Sequence, residues 1–557
     1  MTSAAPELSV IVPTRNRRRL LRECLDSLAL QTASPDSFEV VVVDDGSEDG
    51  TGAQLGKLEP PHRLLVLRLD HSGAAAARNH GLAHASGRSC LFLDDDMQAV
   101  PGLVAAHAAA QRAGDGAVVL GRIGRVARPG AGRLDRFRAE ELETHYAELE
   151  NGRPPGWMDC YGGNFSAPRA VLEDVGGFRP ELDVMHDVEL GFRLGARGLP
   201  FVFEPAAAAL ETAHETLGEL ADGAERRGAA SVFLVEGEPR LIEQLKLGGR
   251  AGENLRSAVA GRVLDALRIR SRAVAAVVRA VPSERLARRG IRFLESYAYW
   301  RGVRRSTPDA GTWRSLRHGT PILMYHAIGG VHEPPSRWVV PQDRFRRQVG
   351  WLARNGYTAI TLEELVRYRA EHRLPPAKAV VLTFDDGYAD FVERALPVLD
   401  QFDFPATVFL VTATGGMKTW HVGGGNGDGR RLLTLQDASR LKDRIDFGAH
   451  TRTHPSLPSL DPDDVAAEVA GSKRELESVI GGPVASFAYP YGDVNDEVAE
   501  AVRSAGFLAA CSTDDGSTLP ADDPFALPRI EVRGTDTLPR FAATLWAGRR
   551  LPDRSPP

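Results

Sequence analysis

Two separate stretches of this chain alternate short apolar strand-like runs with helical patterns, and that repetition limits the fold more than any other feature. In the first stretch the strand-like runs are Ser9–Val12, Phe38–Val43, Leu64–Leu69 and Cys90–Leu93, with helical stretches such as Arg18–Leu30 and Gly73–Ala85 between them. The pattern predicts a doubly wound parallel sheet, whose ligands sit beyond the carboxyl ends of the strands. Three of these strands run into polar clusters: Pro13-Thr14-Arg15-Asn16, Asp44-Asp45-Gly46-Ser47 and Asp94-Asp95-Asp96. The second stretch opens at Pro321-Ile322-Leu323-Met324-Tyr325-His326. Its strands include Ala379–Thr383, Thr407–Val411, Ile445–Gly448 and Ser486–Ala488, with helical patterns at Asp343–Asn355 and Pro462–Ile480. It predicts a barrel or barrel-like sheet. The glycine cluster Gly423–Gly429 reads as a loop.

At 557 residues the chain exceeds the roughly 250–300 that one core supports. Two domains, 1–230 and 313–557, are expected, joined by a helical extension over 231–312. A formal net charge of -6 excludes a general nucleic-acid binder. Cys24, Cys90, Cys160 and Cys511 form no close pair, which suits a reducing compartment rather than a disulfide framework. The start, Met1 to Glu7, is short and polar and carries no signal-peptide pattern. No window approaches about 20 uninterrupted apolar residues, so no spanning helix is expected and membrane contact would be peripheral.

Charge is unevenly distributed. Residues 250–305 hold fourteen arginines against four acids. Val263, Leu267, Val274 and Val278 fall at helical spacing among them, and Pro282 interrupts the pattern. Two readings stay open: a connector packed on the first domain with solvated arginines, or a surface for anionic lipid headgroups or a lipid-phosphate acceptor.

A departing nucleoside diphosphate needs its charge neutralised, and two carboxylates holding a divalent cation do this. Asp94-Asp95-Asp96 ends an apolar strand and is placed for that task; the bland alternative is a solvated acidic turn. Asp45 could accept from a base N–H or a ribose hydroxyl, although Asp-Gly-Ser is also a common turn. The set Ser9–Asn16, Val41–Ser47, Ala76-Ala77-Arg78-Asn79-His80-Gly81, Leu91–Asp96, Gly162-Gly163-Asn164-Phe165-Ser166, Gly176-Gly177-Phe178 and His186-Asp187-Val188-Glu189-Leu190 resembles the family 2 glycosyltransferases of GT-A fold over about residues 8–230. The resemblance implies a nucleotide-sugar donor, bound by Pro13, Thr14, Arg15, Asp44, Asp45, Arg78, Asp94 and Asp95. It implies Mn2+ or Mg2+ at Asp94 and Asp96, and Asp187 as the base that deprotonates the acceptor hydroxyl in a single inverting displacement. His186 stands where relatives commonly have glutamate. His214 lies where relatives place a histidine near metal or diphosphate; a lone histidine is more often structural.

In the second stretch Thr383-Phe384-Asp385-Asp386-Gly387 ends one strand and Phe447-Gly448-Ala449-His450-Thr451-Arg452-Thr453-His454 ends another. Histidines at i and i+4 can meet one cation if the segment turns, and an added carboxylate completes a site with open positions. A neighbouring aspartate stays free as a base. With Phe487-Ala488-Tyr489-Pro490-Tyr491-Gly492, Leu323–His326 and Leu527-Pro528-Arg529-Ile530, these segments resemble carbohydrate esterase family 4, the polysaccharide deacetylases with a NodB homology domain, over about 318–535. The resemblance implies a deformed (β/α) barrel, Zn2+ on Asp386, His450 and His454, Asp385 as base, and the backbone N–H of Tyr491 as an oxyanion donor. Relatives carry an arginine at the position of Ala488, for which Arg529 is the expected replacement. They also carry a late histidine acid; no histidine follows His454, and His326 is the expected substitute.

The combined expectation is an α/β bifunctional enzyme. It would transfer a sugar from a nucleotide donor, UDP-N-acetylhexosamine above all, to a glycan or lipid-linked acceptor, and remove an N-acetyl group from the product or a related glycan. The alternatives are a decayed or glycan-binding deacetylase half, and a deacetylase for a small natural-product glycoside or O-acetyl ester. No nucleic-acid partner is expected. A cytosolic donor pool and the absent export signal predict a cytoplasmic protein, peripheral at the membrane's inner face if the arginine-rich helices bind it.

Overall fold

A computed structural model describes residues 5–114, 116–126, 132–212, 214–245, 247, 255–330, 333–413 and 429–550. The glycine cluster expected as a loop lies outside them apart from Gly429. The chain divides into two compact units, residues 1–233 with 263–305, and residues 234–262 with 306–557. The stretch expected as a separate connector is thus shared between them.

The first unit is built on one eight-stranded sheet. Its strands are β1 (Leu8–Thr14), β2 (Phe38–Asp45), β3 (Arg63–Leu69), β4 (Ser89–Leu93), β5 (Met97–Ala99), β6 (Val118–Arg125), β7 (Asn164–Pro168) and β8 (Phe201–Glu211). They lie in the order β3-β2-β1-β4-β7-β6-β8-β5. The first four are parallel, as the alternation predicts. β7 then runs antiparallel to both β4 and β6, so the sheet is mixed beyond β4. Both faces are covered: Val10, Val12, Val40 and Val42 enter one core and Ile11, Val41 and Val43 the other. That explains why β2 reads as a continuous valine run rather than an alternating one.

The arginine-rich stretch forms helices Leu255–Ala266, Ser271–Ala280 and Glu284–Ser306. Two breaks interrupt it, one after Ala266 and one at Pro282. Val274 and Val278 are buried as the spacing predicts, but Val263 and Leu267 are exposed. Several arginines meet acids of the same unit: Arg272 with Asp222, Arg288 with Glu140, Arg301 and Arg305 with Glu225. Helix Leu217–Gly237 crosses helix Glu284–Ser306 at Gly228 and Gly302. A Cβ on Gly302 would stand 1.9 Å from the Glu225 carbonyl oxygen, and one on Gly228 2.0 Å from that of Tyr299.

The second unit holds β9 (Ile322–Tyr325), β10 (Ala327–Gly329), β11 (Val339–Pro341), β12 (Thr358–Ile360), β13 (Ala379–Phe384), β14 (Thr407–Leu410), β15 (Asp446–Ala449), β16 (Ser486–Ala488), β17 (Ala509–Asp515) and β18 (Leu527–Glu531). Strands β13 to β18 and β9 form a closed ring of parallel strands, sealed where β18 and β13 both pair with β9. β12 adds to the amino-terminal half of β13. A single residue pair links β15 to β16, and the register slips between β17 and β18, so the barrel is deformed. Repeated parallel pairing brings every strand's carboxyl end to one mouth.

The glycine crossing yields the first prediction. A helix-interior glycine normally gains up to about 1 kcal/mol on replacement by alanine, but backbone at 1.9 Å cannot yield. Gly302→Ala should destabilise the first unit by roughly 1–3 kcal/mol through overpacking, read by urea unfolding. Gly223→Ala is the control: only the flexible tip of Arg227 stands within reach, at 3.5 Å, and the substitution should be neutral or stabilising.

Two candidate active sites

In the first unit three carboxylates follow β4, and two guanidiniums hold them. Arg17 Nη1 donates to Asp95 Oδ1 and to Asp96 Oδ2, each at 3.0 Å. Thr14 Oγ1 donates to the other Asp95 oxygen at 2.7 Å. Arg78, 4% exposed, donates to Asp94 and, at 2.6 Å, to His186 Nε2. Arginine has no acceptor, so His186 Nε2 accepts and its proton sits on Nδ1. Burial, reinforced by Arg78, depresses the His186 pKa, which agrees with that neutral state. Burial pushes Asp96 up to about 7, and the Asp94 and Asp95 charges add to it. The expected cation thus has a stand-in, and a divalent ion on Asp96 would have to displace Arg17.

Two glycines let these charges meet. A Cβ on Gly162 would lie 3.2 Å from both Arg78 Nη2 and Asp187 Oδ2, and one on Gly163 3.3 Å from Asp94 Oδ2. Asp187 opens helix His186–Ala196 and accepts from the Gly162 N–H at 2.6 Å. Asp44 accepts from the Ser47 N–H at 2.9 Å. Asp45 accepts from the N–H groups of Ser72 and Gly73, at 2.6 and 2.9 Å. Arg15 meets His71 at 2.7 Å, and Pro13 lies within β1 beside Val43. A cleft of about 770 Å³ opens beside the acidic turn, walled by Arg17, Asp96, His145, Tyr161 and His214. His214 faces this cleft, but its Nδ1 is 2.9 Å from Asp135, a partner the sequence reading did not foresee. Asp187 is not among the cleft's walls.

At the barrel mouth of the second unit Asp386, His450 and His454 come together. The Asp386 carboxylate is 3.5 Å from His450 Nε2 and 3.3 Å from His454 Nε2. Their ligand atoms all lie within 4.8 Å of one another. His450 Nδ1 is 2.7 Å from the Ala488 carbonyl, which fixes the tautomer and leaves Nε2 directed at the cluster. This donor set fits a tetrahedral divalent ion with an open position. Burial alone would raise the Asp386 carboxyl; hydrogen bonds from the two imidazoles outweigh it and hold it well below the usual carboxylate range.

Asp385 is held from inside the barrel. Arg529, 1% exposed, forks onto it at 2.7 and 2.8 Å and anchors on the Ser512 carbonyl at 2.9 Å. Burial opposes ionisation of Asp385, but the Arg529 charge wins and lowers its pKa. Arg529 therefore occupies the neighbourhood in which an arginine was expected. His326 packs against Trp338, with ring centroids 4.5 Å apart and planes tilted by 58°, and burial lowers its pKa although the Asp385 and Asp386 charges oppose this. Tyr491 is 65% exposed, and its ring lies 4.8 Å from that of His454.

The turn carrying the histidines is bent and braced. Asp386, Thr451, His454 and Tyr491 all adopt left-handed backbone, with φ of 69°, 62°, 64° and 60°. Side-chain-bearing residues pay for that conformation, so the surroundings must enforce it. Thr451 Oγ1 accepts the His454 N–H at 2.9 Å. Glu468, on helix Pro462–Ile480, accepts the Arg452 and Thr453 N–H groups at 2.7 and 2.9 Å and the Thr453 hydroxyl at 2.8 Å. Sequence reading missed Glu468. Its one signal is Glu475 seven residues on, which meets Arg452 Nε at 2.7 Å from the same helix face.

Comparison with known proteins agrees with this layout. The family model described as glycosyl transferase family 2 matches residues 9–176, and that described as polysaccharide deacetylase matches 372–510. The chain carries a family 2 glycosyltransferase domain followed by a polysaccharide deacetylase domain. One relative is validoxylamine A glucosyltransferase of Streptomyces hygroscopicus subsp. limoneus, 32% identical over 39% of this chain and 54% of the relative. The chain therefore spans about half the length of that glucosyltransferase. Another is poly-beta-1,6-N-acetyl-D-glucosamine N-deacetylase of Staphylococcus epidermidis, 27% identical over 40% of this chain and 77% of the relative. Among solved structures, Streptococcus pyogenes deacetylase PplD in complex with acetate is 28% identical, covering 40% of this chain and 97% of that one, with a TM-score of 0.36.

Two outcomes follow for the deacetylase domain. Arg529→Ala strands a buried carboxylate and should cost about 3–5 kcal/mol, measured by urea unfolding at neutral pH. Asp385 and Asp386 have folded pKa values below the ordinary one, so their stabilisation is complete well above about pH 4 and is lost as pH falls through the lowered values; in the Arg529→Ala variant the Asp385 share of this acid slope should vanish. Glu468→Ala should weaken divalent-ion binding at this cluster by roughly 10–100-fold, as loss of an outer partner does, with Glu468→Gln intermediate, measured by competition with a chromophoric chelator.

Proposed function

We propose that the chain is a bifunctional carbohydrate enzyme: it transfers an N-acetylated sugar from a nucleotide donor to an acceptor hydroxyl and hydrolyses an N-acetyl amide on the product or a related glycan. The observation that carries the hydrolytic half is the convergence of Asp385, Asp386, His450, His454 and Arg529 at one barrel mouth. Asp386, His450 and His454 hold the divalent ion, of which zinc best suits two imidazoles and a carboxylate. When bound, that ion supplies Lewis acidity to the amide carbonyl and the attacking water. Asp385, kept ionised and oriented by Arg529, takes the proton of the water. The Tyr491 N–H, on a left-handed residue beside His454, donates to the oxyanion. His326 delivers a proton to the departing amine. Its depressed pKa makes it a strong acid once charged.

In the glycosyltransferase domain Asp187 accepts the proton of the acceptor hydroxyl, and a single displacement inverts the anomeric centre. Asp94 and Asp96 would hold Mn2+ or Mg2+, which would neutralise the donor diphosphate, and Arg17, which pairs with Asp95 and Asp96, adds a positive charge beside them. Asp45, with Pro13, Thr14, Arg15 and Asp44 around it, lines the nucleotide side. UDP-N-acetylhexosamine is the donor that lets both chemistries meet on one sugar. A cytosolic donor pool assigns transfer to the cytosolic side. The name of the Staphylococcus epidermidis relative favours a poly-N-acetylglucosamine-type acceptor. That of the Streptomyces relative favours a second reading, a small natural-product glycoside.

The test is mass spectrometry of products from labelled UDP-N-acetylglucosamine with manganese and zinc, across glycan and small-molecule acceptors. The wild type should release UDP and then acetate. Asp187→Asn should lower transfer by about 10³-fold or more while sparing acetate release from a supplied glycan, and Asp386→Ala should do the reverse. Neither product across a broad panel would overturn the reading.

A further inference from the structure

The outer face of the arginine-rich helices is built unlike the rest of the surface. Among the described residues fourteen large apolar side chains are prominently exposed, and four of them fall between 263 and 286. These are Val263 at 48%, Leu267 at 65%, Val277 at 68% and Leu286 at 54%. Val263 and Leu267 are one turn apart on helix Leu255–Ala266 and its end. Val277 shares a face of the next helix with Ala273 and Ala280. Interleaved with them are Arg268, Arg270, Arg279, Arg285 and Arg289, all exposed, and none makes an ion pair with an acid among the described residues. Other arginines of the same helices do find acids: Arg272 with Asp222, Arg288 with Glu140, and Arg301 and Arg305 with Glu225. Of the two acids from 263 to 290, Glu284 is turned to Arg133 and Arg136, and Asp265 lies between Val263 and Leu267.

We propose that this face docks the protein on an anionic phospholipid bilayer. A free cationic face against a chain of net charge -6 gives local charge complementarity for lipid phosphates. Aliphatic side chains among the arginines suit an acyl–headgroup boundary, where arginine stems lie along apolar surface with their heads on phosphates. A nucleic-acid surface would instead interleave its cations with stacking aromatics, and none of the exposed apolar residues in this stretch is aromatic. No helix among the described residues is long and apolar enough to cross a membrane, so contact of this kind is interfacial.

The experiment is co-sedimentation of the full chain with phosphatidylcholine vesicles, with and without phosphatidylglycerol. It needs no donor, acceptor or metal, so its outcome is separate from that of the enzymatic reading. Binding is expected only to the phosphatidylglycerol vesicles, and it should weaken at high salt. In Arg270→Glu/Arg279→Glu/Arg285→Glu/Arg289→Glu the partition coefficient should fall about tenfold or more. Val277→Asp/Leu286→Asp, which keeps every arginine, should also bind less, and circular dichroism should match the wild type for both variants. Equal binding by wild type and variants, no binding to anionic vesicles, stronger competition by RNA than by lipid, or patch variants that merely dissociate a dimer of this chain would each overturn the proposal.

Discussion

Both domains depend on a guanidinium buried against a carboxylate at the end of a parallel strand. Arg529 forks onto Asp385, and Arg78 meets Asp94. Removing two charges from water costs several kcal/mol per ion, and mutual attraction offsets this only with good geometry and further hydrogen bonds. Arg529 has both, since its remaining N–H groups reach Ser512 and Thr383. Such pairs add little net stability. What Arg529 provides is an ionised, fixed Asp385 against a burial that opposes its charge, and what Arg78 provides is a fixed position for Asp94.

Parallel topology explains why these pairs sit where they do. Strands that all end on one side gather their terminal side chains into one mouth, whatever their separation in the chain. Asp385, His450 and Arg529 come from β13, the turn after β15, and β18. The antiparallel β7 serves the first domain differently: Gly162 and Gly163 precede it, and their bare backbone admits Asp94, Arg78 and Asp187 at close range.

Four of the first sheet's eight strands, the main barrel strands and the acid and histidine clusters were legible because each rests on local pattern, whereas β5 to β8 were not read. Strand ends fall within a residue or two of those read from apolar runs, and the His450–His454 spacing anticipates a shared ligand point. Arg17 was not legible, because nothing local in Asn16-Arg17-Arg18 says which arginine turns back to Asp95 and Asp96. Glu468 was hidden for the same reason: a glutamate on an amphipathic helix looks solvated until the fold brings a turn above it. The pairing of His214 with Asp135 and the exposure of Val263 and Leu267 are likewise tertiary facts, since a periodic pattern assigns a face but not what covers it.

The left-handed residues around the histidine cluster carry a consequence for timing. Backbone bent by Thr451, Glu468 and the neighbouring turns is already in its coordinating shape, so an arriving ion has to shed water but does not have to order a loop. Capture should therefore run near the rate of ligand exchange at the ion itself, and the metal-free and loaded barrels should superpose at this mouth. Such a site asks more of the sequence than its few ligands suggest, because the left-handed backbone at Asp386, Thr451, His454 and Tyr491 has to be held by its surroundings, at Thr451 in spite of a branched side chain.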